Sequence, residues 1–107
     1  MSEFADANIS MVNDCWIKQL HFKEAGWIAR THAHTFDHQT LLAVGSLLVY
    51  VDGIKTVHHA PTIIVIEAGK HHMLQSLMAN TVAYCIHPLR GEDLVPGVAN
   101  EELAHLL

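Results

Sequence analysis

Gly26 to Gly45 reads G-W-I-A-R-T-H-A-H-T-F-D-H-Q-T-L-L-A-V-G, with histidines at positions 32, 34 and 38. Successive side chains of an extended strand alternate between its faces, so His32 and His34, two apart, point the same way and can share one metal ion. Thr35-Phe36-Asp37 then gives the chain room to bend or end the strand and bring His38 round. A fourth imidazole has to come from far along the chain. His72 lies beyond short apolar runs whose lengths suit strands of one sheet or barrel.

The runs on either side support an all-β reading. From Asp14 to Phe22, Trp16, Ile17, Leu20 and Phe22 alternate loosely with Lys18, Gln19 and His21, as in a half-buried strand. Gly26 punctuates, and Trp27 to His34 reads as a second strand. Leu41 to Val44 and Leu47 to Val51 follow, the latter closed by Asp52-Gly53. Asp-Gly between two β-forming runs marks a tight hairpin, because both central turn positions need positive φ. Ile54 to His59 is the return strand. Strands are further expected over Thr62 to Ile66, Met73 to Leu77 and Thr81 to His87, with turns at Glu67 to Lys70 and at Ala79-Asn80. Many short strands with turn residues between them indicate a sandwich or barrel. Residues 1–13 carry no strong period and read as an N-terminal arm. The tail, 91–107, carries a short helix capped by Asn100 and running to Leu107, with Glu101 and Glu102 near its positive end.

Composition narrows the function classes. The 107 residues make one domain, half of them apolar, with few charges. A net charge of −5 without any Lys/Arg cluster argues against nucleic-acid binding. Cys15 and Cys85 form no C-x-x-C pair and read as free thiols. No run of signal-peptide character opens the chain, and none reaches the ~20 apolar residues of a membrane span. The expectation is a cytoplasmic, soluble protein, and so short and apolar a barrel is expected to pair into a homodimer.

Ten histidines are many for this length, and a lone one is more often a hydrogen-bonded surface or core residue than a ligand. That reading is given to His21, His87 and His105. His58 and His59, adjacent on a strand, face opposite ways and are read as structural or supporting.

The quartet 32, 34, 38 and 72 is different because its flanking glycines recur at a known spacing. Gly26, five residues, His32, one residue, His34, three residues, His38, six residues and Gly45 resemble the first motif of the cupin superfamily, which has a glutamate where His38 stands. The second cupin motif is half-kept: Gly69 and His72 fall in register, while Pro61, Glu67 and Ser76 replace a glycine, a proline and an asparagine. The intervening fifteen residues, Ser46 to Ala60, resemble the spacing of small single-domain cupins. The resemblance covers roughly positions 14 to 88. It implies a small antiparallel β-barrel, the double-stranded β-helix of jelly-roll type, around one divalent transition metal held by His32, His34, His38 and His72. Four-histidine members of the superfamily are the nearest pattern. His71 competes with His72, but register with Gly69 favours His72.

Two rival motifs fail. H-A-H-T-F-D-H looks like the ligand run of metallo-β-lactamase-fold hydrolases with one residue too many, and that fold needs a longer chain. A zinc finger lacks its paired cysteines, and H-E-x-x-H is absent.

Four neutral imidazoles suit iron, manganese, nickel, copper or zinc without choosing among them. With His38 in place of a carboxylate, the ion keeps its full charge and favours an anionic oxygen ligand: a chelating enol, catechol or carboxylate. Glu67 or Asp37 could supply a base, although the commoner role of each is a solvated turn residue, and Trp27, Phe36 and Tyr50 would shape the mouth if they face in, although core packing is the commoner role of each. The expected activity is dioxygenase-type, with a non-redox isomerase or lyase, or a ligand-binding module without turnover, as alternatives.

Overall fold

The computed structural model describes residues 3–31 and 38–88, with only the backbone of 30, 31 and 38. Among the described residues nine strands follow one another: β1 (Asp6–Val12), β2 (Cys15–Phe22), β3 (Ile28–Thr31), β4 (His38–Val44), β5 (Ser46–Val51), β6 (Ile54–His59), β7 (Thr62–Ile66), β8 (His72–Ser76) and β9 (Thr81–Pro88). They form two antiparallel sheets, β1-β2-β9-β4-β7 and β3-β8-β5-β6, closed over a shared core. This is the double-stranded β-helix. The C-terminal helix expected over 100–107 lies outside the described residues.

Strict alternation builds the walls. In β2 the residues Trp16, Lys18, Leu20 and Phe22 face inward, and in β8 His72, Leu74 and Ser76 do so. The core joins Trp16, Leu20, Phe22, Leu42, Leu47, Val49, Ile64, Ile66, Leu74 and Ala83 from both sheets. Burying each large apolar side chain contributes about 1.5–3 kcal/mol, so the two sheets hold each other through this layer.

The hairpin at Asp52-Gly53 is present, with φ of 48° and 81°, and sets β5 against β6 from Val51↔Ile54 to Ser46↔His59. Residues 6–12 of the segment read as an arm form β1, paired with β2 along its length. Ala7, Ile9 and Met11 alternate with Asp6, Asn8 and Ser10, the period of a strand, although every residue of β1 is exposed. Strand β4 begins at His38, three residues earlier than the apolar run indicated, because Thr40 is buried and its hydroxyl lies 3.7 Å from the Cys85 sulfur.

The replaced positions of the second motif are accommodated locally. Ser76 is buried, and its hydroxyl donates to the Glu24 carbonyl at 2.7 Å. Its carbonyl accepts from the Gly26 N–H at 2.8 Å, and its own N–H donates to the Trp27 carbonyl at 2.9 Å. One small hydroxyl residue thereby ties the end of β8 to the loop that opens the Gly26 stretch.

Candidate functional site

His72 is the anchor. At the start of β8 it pairs with Thr31 on one side and Val51 on the other, and it is 6 % exposed. An imidazole so deeply buried needs partners. Its Nδ1 lies 3.5 Å from the Lys70 carbonyl, which can only accept, so that contact selects the tautomer with the proton on Nδ1 and the lone pair on Nε2. A histidine that donates one ring N–H to a backbone carbonyl presents the other nitrogen in the form metals take.

Of the other three histidines of the quartet, the backbone of one is described. Thr31, the register partner of His72, directly precedes His32. His32 and His34 lie outside the described residues. His38 opens β4 opposite Ile66, the last residue of β7, and the turn from Glu67 to His71 leads from Ile66 into His72. The backbone positions of 31, 38 and 72 therefore gather at one end of the barrel. Among the described residues no three metal-ligating side chains converge.

His71, the competitor, is exposed, as alternation requires beside a buried His72. His59 is exposed, with Nδ1 2.8 Å from the Ser46 hydroxyl, and His58 Nε2 lies 2.9 Å from the Thr56 hydroxyl. Glu67 is exposed and 3.6 Å from the Lys70 ammonium, in solvent rather than in the barrel. Tyr50 is half-buried with Lys55 Nζ 5.2 Å from its ring centre, while Trp27 packs against the core. Asp37 and Phe36 lie outside the described residues.

The structure brings in two residues that the sequence pattern alone does not single out. On the inner face of the five-stranded sheet, one rung runs Lys18, Cys85, Thr40, Ile64 and the next Leu20, Ala83, Leu42, Thr62. Above the first, Trp16 pairs with His87, and the β4–β9 register ends beside them at Gln39↔Ile86. His87 thus occupies an inward position at the end of the barrel where His38 and His72 lie. Lys18 is 9 % exposed, one rung deeper. Burial lowers its pKa, with the Cys85 thiol opposing.

Burial pushes the Cys85 thiol up to about 11, although the Thr40 hydroxyl and the Lys18 ammonium pull the other way. A thiol reacts as its thiolate, so at neutral and mildly alkaline pH Cys85 is held in the inert form. In mildly alkaline buffer an alkylating reagent is expected to label half-buried Cys15 well before Cys85, which reacts only on unfolding. Equal labelling of both in the native protein would contradict the burial described.

No family model matches the chain, and no curated protein matches it by sequence. Solved structures do. KdgF from Halomonas sp. shares 19 % identity at a TM-score of 0.65, over 82 % of each chain. A cupin superfamily protein from Desulfitobacterium hafniense shares 13 % at 0.68, over 84 % of this chain and 82 % of that one. A conserved protein with a double-stranded β-helix domain from Klebsiella pneumoniae shares 18 % at 0.66, over 79 % and 77 %. The chain has the cupin fold, and its structural neighbours are cupin proteins. No helix among the described residues is long and apolar enough to cross a membrane.

Proposed function

We propose that the protein is a metal-binding cupin in which His32, His34, His38 and His72 hold one divalent transition metal. The observation that carries this reading is the pairing of buried His72 with Thr31, which starts the H-x-H stretch one residue from His72's strand partner. The Nδ1–H···O=C contact of His72 fits the group, since it sets Nε2 as the donor atom. His38 heads β4, a strand of the facing sheet.

An ion held there supplies Lewis acidity and, if iron, manganese, nickel or copper, redox chemistry. The chain's own residues bind and enclose. Val51, the strand partner of His72, packs against the core and Leu74, next on the same face, is buried in it, and so apolar a surround strengthens any charge interaction inside. Four neutral ligands leave the ion's charge uncompensated, so the substrate class is a small chelating anion: an enol, catechol or carboxylate. The activity proposed is dioxygenase-type cleavage of such a molecule.

Oxygen uptake by protein purified without added metal, measured with a panel of enols and catechols, tests this. Uptake that depends on the bound metal is expected. Turnover of the panel without oxygen would instead mark a non-redox isomerase or lyase, and binding without turnover a carrier or sensor.

A further inference from the structure

Lysine is among the residue types least often buried, because desolvating its ammonium is costly. Yet β2 turns Lys18 into the barrel between Trp16 and Leu20, at a position where its neighbours on the same face are apolar. Its rung mates Cys85 and Thr40 are polar as well, and the rung above holds Trp16 and His87. Two strand spacings, about 10 Å, separate the β2 column from the β4 column, and a lysine stem bridges much of that gap. Among the described residues the carboxylates, Glu3, Asp6, Asp14, Glu24, Asp52 and Glu67, are all exposed, so the formal charge they and Lys18 place on the inner faces is positive. An ammonium has three N–H donors, so Lys18 can keep a partner inside the barrel and still donate to an incoming anion.

We propose that Lys18 binds a carboxylate of the substrate, separate from the oxygens that chelate the metal and a few bonds away from them. The inference rests on the metal reading for the chelating end of the molecule and on Lys18 for the other. It narrows the substrate class to small chelating molecules that carry a second, acidic group. Catechol and protocatechuate differ by that one carboxylate and serve as probes.

Calorimetric titration of the protein as purified, with its metal content measured, reads both ends separately. Wild type is expected to hold protocatechuate roughly tenfold more tightly than catechol, the contribution of one charge-assisted hydrogen bond. Lys18→Met should remove that preference while leaving catechol affinity and metal content unchanged, and Lys18→Arg should restore part of it. If wild type binds metal and both probes without preferring the carboxylate, the role of Lys18 is overturned and the metal reading stands. If the protein holds no metal but binds protocatechuate in a Lys18-dependent way, the metal reading falls and the anion site stands. No metal and no binding of either probe overturns both. Should Lys18→Met fail to fold, Lys18→Gln carries the same test, and a carboxylate preference that survives the exchange overturns the role of Lys18.

Discussion

Replacing Gly45 with alanine is expected to lower the unfolding free energy by about 2–5 kcal/mol, summing the left-handed backbone penalty and overpacking. Gly45 has φ of +91°, and a Cβ there would meet the Thr81 hydroxyl and lie 2.9 Å from the Thr81 Cα. That neighbour is backbone of β9 and does not yield easily. Thr81 is fully buried, its hydroxyl donates to the Met78 carbonyl at 2.9 Å, and the Ser46 N–H donates to it at 3.4 Å. Shifting Thr81 would also disturb the crossing from β4 to β5, where the Gly45 carbonyl accepts from the Ala60 N–H. Gly53 provides the control. Its φ is +81°, but nothing lies within 4 Å of where a methyl would sit, so Gly53→Ala should cost only the backbone penalty, about 1–2 kcal/mol. Urea unfolding of the two variants with unchanged slope checks the difference. Equal losses would mean that the close approach to Thr81 plays no part.

Exchanging His72 for alanine is expected to cut metal content more than about tenfold, since even the loss of a partner behind a ligand costs 10–100-fold in affinity. His71→Ala, one residue away, is expected to leave it near the wild-type level. The two side chains differ in one respect that matters: His72 is buried at the inner face beside Thr31 and Val51, and His71 is exposed. A bound ion stabilises the folded state by mass action. A chelator should therefore lower the melting temperature of wild type and His71→Ala but not of His72→Ala. Similar metal content in both variants would place the ligand elsewhere.

Much of this is legible in the sequence wherever one physical demand dominates. Asp52-Gly53 announces its hairpin because two consecutive positive φ values admit few other residue pairs. Register with Gly69 separates His72 from His71, and burial separates them the same way. Strand β1 carries an alternation in Ala7, Ile9 and Met11, but Ala7 is small, Val12 breaks the parity and every residue is exposed, so the signal is weak. The head of β4 is hidden because His38-Gln39-Thr40 is polar, although Thr40 is buried against Cys85. Lys18 reads with the polar residues of β2, yet Trp16, Leu20 and Phe22 already define the inward parity that includes position 18. The same parity along Thr81, Ala83 and Cys85 carries His87 inward. In both cases the rule that charged or polar side chains face water masks the period, and the exceptions fall where the barrel gathers its polar groups.

Metal per chain, measured by element analysis on protein purified without added metal, tests the histidine quartet most directly. Wild type and His105→Ala should each carry close to one transition-metal ion per chain, and His38→Ala far less. A wild type free of metal, or equal content in His38→Ala and His105→Ala, would contradict the assignment.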